Sequence, residues 1–365
     1  MGKRKILVIL TGGTICSFPD GLRGNKNQTN AHAAKRVIIE GFEKSSSPYA
    51  EAVEFEEKYL IPDTLSENMT IDTWNRLLDV FREERLNEKS GYDGIIVLHG
   101  TDTLAYTAAL LSIALSGAKI PVIMVSSQFN LYHPKTNGHV NFRAAVELIM
   151  NGILPNVYAV YQNEKGGTGE PGELLLHYGA HLMQCPNYSN NFHSEDEVSL
   201  PKNESAAYKG KAFETKEFYL DKFDTLAPSV LLISPYVGLK YSRICLDGVD
   251  AVIHSTYHSE TVCTERRESV GVDGAEAPFS DYSALYLIRS CKQRDIPVFL
   301  TPCDSVGHSY VTTSDAILYG ASHIFGTTVE SAYAKALIGT ALGKRGKELE
   351  SFLKTSVNHE FVYKS

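Results

Sequence analysis

Two short apolar runs, each followed directly by a glycine–threonine motif, constrain most strongly what this chain can fold into. Lys5–Leu10 leads into Thr11-Gly12-Gly13-Thr14-Ile15, and Gly94–Leu98 leads into His99-Gly100-Thr101-Asp102-Thr103. Each run is typical of a buried strand in a parallel sheet, and the carboxyl ends of such strands carry the ligand-binding loops. The threonines and the aspartate indicate a site with a hydroxyl nucleophile rather than a phosphate-binding loop.

The length of the chain favours two domains. Its 365 residues exceed what one hydrophobic core usually holds, so we expect two domains of roughly 150–200 residues each. A polar stretch rich in Asn, Ser, Glu and Lys begins at residue 187 and is interpreted as a hairpin plus linker. We place the N-terminal catalytic domain at residues 1–220, including the hairpin and linker region 187–220, and a C-terminal α/β domain at residues 221–365.

Strand and helix patterns alternate on both sides of this linker. Before it we predict, in order, helix Ala31–Glu43, strand Val53–Leu60, a helix capped by Thr70 and running through Glu88, strand Gly94–Leu98, helix Leu104–Ser116, strand Pro121–Ser126, helix Asn141–Met150 and strand Val157–Tyr161. After it we predict strands Ser229–Val237, Ala251–Tyr257 and Pro297–Pro302, and helices Asp281–Arg294 and Thr328–Gly343. This order predicts a two-domain α/β fold: a larger N-terminal, mostly parallel sheet flanked by helices, and a smaller C-terminal α/β domain.

Charge, hydropathy and cysteine usage predict a protein without a nucleic-acid or membrane partner and indicate its cellular compartment. The formal net charge is −8 and no basic stripe offsets it, so we expect no nucleic acid or membrane partner. The apolar run after Lys3–Lys5 is too short for a signal peptide, and no stretch is long enough to span a membrane. Because the six cysteines are scattered without a CxxC pair, we expect reduced thiols in a cytoplasmic protein.

The two glycine–threonine motifs place candidate catalytic groups at strand ends. A threonine hydroxyl is a weak nucleophile at neutral pH and needs a base, or a relay to one, within hydrogen-bond reach. Thr14 follows two glycines that allow a sharp turn, and Thr101-Asp102 supplies a second hydroxyl beside a carboxylate. The same residues also suit plain helix caps, but two such motifs at matching strand ends favour catalysis.

In their order and spacing these motifs resemble those of the bacterial-type L-asparaginase/glutaminase family of amidohydrolases. Further segments are similar to the family's substrate-binding loop, its central segment and its C-terminal helix, so the resemblance covers nearly the whole chain. These segments are Ser66–Thr70 before Trp74, Gly117–Val125 with Asn137-Gly138 and Asn141, and Thr327–Glu330 with Lys335.

The resemblance implies roles for individual residues. Thr14 would attack a side-chain amide carbonyl, form an acyl-enzyme and release ammonia, while Thr101 would activate water or assist the attack. Ser66 would bind the substrate α-carboxylate, and Asp102 with Glu67 would bind the α-ammonium group.

The resemblance also implies how the site is completed. Gly13 and Gly100 are expected among the substrate-binding residues, since backbone N–H groups around the two threonines would stabilise the oxyanion. The family requires no metal or cofactor. Its active sites form between two subunits, so we expect a homodimer or homotetramer that takes a small amide or amino-acid substrate.

The sequence departs from the family pattern where the family has its lid tyrosine and its triad lysine. No tyrosine precedes Tyr49, and Phe18 in the lid segment could cover a site but cannot donate a proton. At the position of the family's lysine stands Glu173 or Leu174. Lys165, or alternatively Lys135, is the nearest candidate replacement, although a lysine on a glycine-rich hairpin is more often simply solvated.

A third departure concerns the loop that follows the second C-terminal strand. It reads Tyr257-His258-Ser259-Glu260-Thr261 and is followed by a long segment to Asp281, which favours a different or larger ligand. His258 or Glu260 could supply the missing general base; the alternative is a solvated loop. The HxxxH spacings His177/His181 and His254/His258 are not expected to bind metal, because one pair straddles a strand end and the other lacks a carboxylate at ligand spacing.

We therefore expect a threonine-dependent amidohydrolase acting on asparagine or on an asparagine-like amide whose leaving group or acyl portion differs. Three alternatives stay open at this point. One is an ordinary asparaginase with displaced catalytic residues, and another is a non-hydrolytic, amino-acid-binding regulatory member of the fold. The third, an amidotransferase component that passes ammonia to a partner, would need an additional N-terminal domain, which we do not expect here.

Overall fold

The computed structural model describes residues 2–20, 26–29, 31–88, 90–200, 208–265, 279–304 and 310–362. The chain divides into two compact units, Met1–Asp224 with Val357–His359, and Thr225–Ser356 with Glu360–Ser365. The side chain of Phe18, expected above as a lid residue, lies outside the described residues, as does most of the segment between Thr261 and Asp281.

A seven-stranded sheet forms the centre of the first unit. Its strands are β1 (Arg4–Gly12), β4 (Val53–Thr64), β5 (Gly94–Leu98), β6 (Val122–Val125), β7 (Val157–Glu164), β8 (Pro171–Tyr178) and β9 (Val198–Ser199), and a separate hairpin pairs β2 (Ser17–Asp20) with β3 (Lys26–Thr29). The order is β4-β1-β5-β6-β7-β8-β9, parallel up to β7 and antiparallel beyond it. The carboxyl ends of β4, β1 and β5 therefore meet at one edge of the sheet.

Helices cover this sheet because its strands are apolar on both faces. The helices are α1 (Ala31–Glu43), α2 (Ile71–Glu83), α3 (Leu104–Ala114) and α4 (Gly138–Met150). Alternate residues of β1, such as Ile6 and Val8, share one buried cluster with Phe42 of α1 and Phe142 of α4. The indole N–H of Trp74 on α2 donates to the Thr107 hydroxyl of α3 at 3.0 Å, which joins those two helices.

The second unit holds a four-stranded, fully parallel sheet in the order β10-β11-β12-β13. Its elements are β10 (Val230–Ile233), β11 (Ala251–Ser255), α5 (Ala284–Lys292), β12 (Val298–Cys303), α6 (Val311–Tyr319), β13 (Ala321–Phe325), α7 (Val329–Ala341) and α8 (Gly346–Lys354). Lys335 of α7 is buried and forms an ion pair with Glu360, which is also buried.

The predicted fold class is confirmed: a larger, mostly parallel sheet with flanking helices and a smaller α/β unit. The helix predicted to run through Glu88 ends at Glu83, because Arg85 has a φ of 45°, which an α-helix cannot contain. Strands β8 and β13 and helices α6 and α8 were not predicted, although α8 buries Leu349, Phe352 and Leu353 at helical spacing. Among the described residues no helix is both long and apolar enough to cross a bilayer.

Candidate active site

The two glycine–threonine loops touch each other through their glycines. Gly12 and Gly13 have φ values of 116° and 77°, which L-residues with a side chain rarely adopt. A Cβ on Gly13 would lie 2.4 Å from both Cα and N of Gly100. Because that distance excludes any side chain, glycine at position 13 is what allows the loop carrying Thr14 to pack against the loop carrying Thr101.

A third loop, which follows β4, joins the same place through Ser66. The hydroxyl oxygen of Ser66 accepts a hydrogen bond from the backbone N–H of Asp102 at 3.2 Å. Its carbonyl oxygen accepts one from the Thr103 hydroxyl at 2.9 Å. A Cβ on Gly100 would lie 2.4 Å from the Ser66 hydroxyl oxygen, so this contact also requires a glycine. The three loops thus form one packed cluster.

Access to the candidate residues differs in a way that suits catalysis. Thr14 and Thr101 are half-buried, while Asp102 and Glu67 are exposed and Ser66 is buried. The backbone around Thr14 is held by the Ser17 hydroxyl, which donates to the Thr14 carbonyl at 2.8 Å. Hydroxyl groups on a fixed backbone and exposed carboxylates at the same sheet edge can bind and attack a small polar substrate.

Thr101 and Asp102 also line a cavity of about 420 Å³ within the first unit. The other residues that line it are Gln128, Tyr161, Gln184, Cys185, Pro186, Asn187, Tyr188, Ser189, Asn190 and Phe192. Sequence reasoning missed these residues. Only their position in the chain could have indicated two of them. Gln128 follows β6 and Tyr161 lies on β7, and these two strands come after β5 in the sheet.

Three titratable groups in the lining of this cavity or next to Gly100 are held in their neutral forms. Burial lowers the pKa of His99 to about 4, and its Nδ1 lies 2.7 Å from the Gly100 carbonyl oxygen. Burial raises the pKa of the Tyr161 phenol and of the Cys185 thiol. The thiol of Cys185 donates to the carbonyl oxygen of Ser189 at 2.9 Å. None of these three groups is therefore charged at neutral pH.

Neither Lys165 nor His258, which were predicted as replacements for the family's lysine, is among the residues that line this cavity. Lys165 is exposed in the turn between β7 and β8, where its backbone N–H donates to the Glu170 carbonyl at 2.8 Å. His258 belongs to the second unit and is exposed, with its Nε2 3.2 Å from the Ser259 hydroxyl. No lysine is among the residues that line the described cavity.

The paired histidines considered as metal ligands make other contacts. His177 lies in β8, where burial lowers its pKa to about 3 and its Nδ1 lies 2.8 Å from the Ser194 hydroxyl. His254 lies in β11, with Nε2 2.8 Å from the Tyr241 hydroxyl and Nδ1 2.6 Å from the Ser255 carbonyl oxygen. In the part of the chain that the structure describes, no group of three or more His, Cys, Asp or Glu residues is arranged to hold a metal ion.

The chain is similar in sequence to one protein family and to several curated proteins. A family model described as "Asparaginase, N-terminal" matches residues 5–196. A glutamyl-tRNA(Gln) amidotransferase subunit of Aeropyrum pernix is 25% identical over 346 residues, which are 91% of this chain and 74% of that protein. The protein of the same name from Pyrobaculum aerophilum is 31% identical over 166 residues, which are 45% of this chain and 36% of that protein.

Two solved structures share the fold. The thermostable L-asparaginase from Thermococcus kodakarensis superposes with a TM-score of 0.71 at 19% identity, covering 99% of this chain and all of the other. L-asparaginase I from Vibrio cholerae superposes with a TM-score of 0.68 at 20% identity, covering 99% of this chain and all of the other.

Proposed function

The chain belongs to the asparaginase family of amidohydrolases, and we propose that it hydrolyses the side-chain amide of asparagine, or of an asparagine-like amide, with the Thr14 hydroxyl as nucleophile. The observation that carries this proposal is the contact between Gly13 and Gly100. It joins the loop of one half-buried threonine to the loop of the other, beside a cavity with an exposed carboxylate.

The reaction proceeds in two steps. The Thr14 hydroxyl oxygen attacks the amide carbonyl carbon while its proton passes to a base, and the C–N bond breaks as the nitrogen leaves with that proton as ammonia. A water molecule, activated with the help of the Thr101 hydroxyl, then attacks the resulting ester. The carboxylate product leaves and the Thr14 hydroxyl is restored.

Recognition of the amino-acid head group falls to the loop after β4 and to Asp102. The Ser66 hydroxyl already accepts a bond from the Asp102 N–H, so its own hydrogen is directed to another acceptor, and a substrate α-carboxylate suits that role. The exposed carboxylates of Asp102 and Glu67 would pair with the α-ammonium group.

Backbone donors would stabilise the oxyanion that forms during the attack. The N–H of Gly13 donates to the Thr64 carbonyl oxygen at 2.8 Å, and the N–H of Asp102 donates to the Ser66 hydroxyl oxygen. The backbone N–H groups of Thr14, Gly100 and Thr101 on the two packed loops are the candidates for this role. Donors fixed in this way need no reorganisation as negative charge develops.

The attack by Thr14 requires a base that takes the proton of its hydroxyl group. The lining of the described cavity offers no lysine, so Lys165 and His258 stay predictions made from sequence. The variants Lys165→Ala and His258→Ala test these two predictions. The variant that lacks the base should lose amide hydrolysis at neutral pH and regain part of it as the pH is raised.

Ammonia release from purified protein tests the proposed function. We expect release from L-asparagine, or from an asparagine-like amide, that is lost in Thr14→Ala and partly kept in Thr14→Ser. Thr168→Ala, at an exposed threonine on the turn between β7 and β8, is the matched control and should behave like the wild type. Equal release by the wild type and Thr14→Ala would overturn the role of Thr14.

A non-hydrolytic amino-acid-binding protein is the second candidate. The absence of a lysine from the lining of the described cavity favours it, because an unactivated threonine hydroxyl turns over poorly. Such a protein would be stabilised by aspartate or asparagine through mass action without releasing ammonia. Raised melting temperature without turnover across the substrate panel would select this candidate over the hydrolase.

The names of the curated relatives favour a third candidate, an amidase component that supplies ammonia to an amidotransferase. The chain aligns over most of its length with the glutamyl-tRNA(Gln) amidotransferase subunit of Aeropyrum pernix. This candidate predicts that L-glutamine is hydrolysed in preference to L-asparagine, and that hydrolysis rises when a partner protein is supplied. A clear preference for asparagine by the isolated chain would exclude it.

A further inference from the structure

A second cavity of about 310 Å³ lies next to the first, still within the first unit. Gln128 lines both cavities. The second is lined also by Lys135, Asn137, Glu164 and Glu170, and its volume falls in the range of about 300–1,000 Å³ that is usual for small-molecule sites.

The linings of the two cavities are in direct contact. Tyr161 of β7 lines the first cavity, and its neighbour in the chain, Gln162, lines the second. Glu164 of the second cavity accepts hydrogen bonds from Gln128 at 3.3 Å and from Asn190 of the first at 3.4 Å. Gln128 is therefore the side chain that a ligand reaching from one cavity into the other would displace.

The second cavity offers hydrogen-bond acceptors and a net negative charge. Lys135 lies 4.0 Å from Glu170 and balances its charge, which leaves the Glu164 carboxylate uncompensated among the charged residues of the lining. The amide of Asn137 is committed, because its oxygen accepts from the Gln128 N–H and its nitrogen donates to the Gln162 carbonyl. The cavity thus favours a group that donates hydrogen bonds, a cationic one above all.

We propose that the substrate carries an amine-bearing substituent on its side-chain amide nitrogen, and that this substituent occupies the second cavity against Glu164. The inference rests on the proposed function, in which Ser66, Asp102 and Glu67 hold the α-carboxylate and α-ammonium groups. The amide nitrogen is then the position where a substituent can be carried without loss of those contacts. The same bonds form and break as before, but a substituted amine leaves, with the Thr14 proton, in place of ammonia.

Binding and turnover of matched amides test the inference. The probes are L-asparagine, its derivatives with an aminoethyl or a propyl group on the side-chain nitrogen, and asparaginyl-glycine, which is extended at the α-carboxyl group instead. Dissociation constants are measured calorimetrically on Thr14→Ala protein, and kcat/KM is measured on protein with Thr14 intact. Glu164→Gln is the test variant, and Glu173→Gln, an exposed residue of β8 that lines neither cavity, is its control.

We expect the dissociation constant of the aminoethyl derivative to be at least roughly tenfold lower than that of the propyl derivative. This is the difference that one charge-assisted hydrogen bond provides. This preference should disappear in Glu164→Gln and persist in Glu173→Gln. Equal binding of the two derivatives, a preference that survives Glu164→Gln, or tighter binding of asparaginyl-glycine would overturn the inference.

The same experiment separates the inference from the proposed function. One outcome is that L-asparagine is hydrolysed in a Thr14-dependent way but the aminoethyl group gives no preference. The proposed function would then hold, and the second cavity would not bind part of the substrate. A binding preference that depends on Glu164, without hydrolysis of any amide, would support the cavity's ligand class and overturn the hydrolase.

Discussion

The hydroxyl oxygen of Ser66 lies 3.2 Å from the backbone nitrogen of Asp102 and accepts its hydrogen bond. The two residues belong to different loops, one after β4 and one after β5, with β1 lying between those strands in the sheet. The bond fixes the backbone that carries the Asp102 carboxylate relative to the loop that carries Glu67. The relative position of Asp102 and Glu67, the two carboxylates proposed to bind the α-ammonium group, therefore depends on the Ser66 hydroxyl.

Ser66→Ala should raise KM for an asparagine substrate by roughly tenfold, because it removes a hydrogen bond to the α-carboxylate and frees the Asp102 N–H. Steady-state kinetics measure this change. Thr103→Val is the comparison, since it removes only the bond to the Ser66 carbonyl and should affect KM less. An unchanged KM in Ser66→Ala would remove Ser66 from the substrate site.

Gly100→Ala should destabilise the fold and abolish amide hydrolysis. The new Cβ would lie 2.4 Å from the Ser66 hydroxyl oxygen, so the packed loops must separate, at a cost of about 1–3 kcal/mol. Gly91→Ala is the matched control, because a Cβ there meets nothing within 4 Å. Urea denaturation and ammonia release measure the two effects, and wild-type behaviour of Gly100→Ala would contradict the close packing of the loops.

Thr101→Val, which is nearly isosteric, should lower kcat by roughly 10²–10⁴-fold if the hydroxyl assists proton transfer. Thr101→Ser keeps the hydroxyl and should retain most of the activity. Single-turnover measurements can show which step is affected, since activation of water predicts that the acyl-enzyme accumulates in the valine variant. Equal rates for the valine and serine variants would show that the hydroxyl is not used.

Lowering the pH should destabilise the protein through its buried histidines. His99 and His254 each have a pKa of about 4 in the folded state against 6.5 for the ordinary side chain. Between these values the unfolded chain binds a proton that the folded chain does not, so the free energy of unfolding falls as the pH drops from 6.5 towards 4. Each group contributes up to about 1.4 kcal/mol per pH unit.

Urea denaturation of His254→Gln across this pH range tests the effect. The variant loses one titrating group, so its unfolding free energy should depend less steeply on pH than that of the wild type. Identical slopes for the variant and the wild type would mean that His254 does not bind its proton preferentially in the unfolded state.

Lys335→Met should destabilise the second unit by about 3–5 kcal/mol, because it leaves the buried Glu360 carboxylate without its partner. The double variant Lys335→Met/Glu360→Gln should recover part of this loss. Lys354→Met, which breaks the exposed pair with Glu350, should cost only about 0.2–1 kcal/mol. Similar losses in both single variants would contradict the burial of the Lys335 pair.

Several features of the site could be predicted from sequence, and they are the local ones. The strands that lead to Gly12 and Gly100 are predicted because each is a short apolar run with a glycine two residues after its end. The structure has both strands. Ser66 came only from the family resemblance, since nothing in its own segment indicates a contact with Asp102. Gln128, Tyr161 and Gln184 were missed, because their meeting in one cavity depends on which strands lie side by side.

The sequence by itself determined the alternation of strands and helices and the glycine–threonine motifs at two strand ends, because apolar periodicity and turn-forming residues are properties of short segments. The tertiary structure decided which strand ends meet, which side chains share the cavities and which histidines lose their charge. Crossover connections set the order β4-β1-β5-β6-β7, so neighbours in the sheet lie far apart in the chain. Burial and cavity lining follow from that order, and no local pattern of residues encodes it.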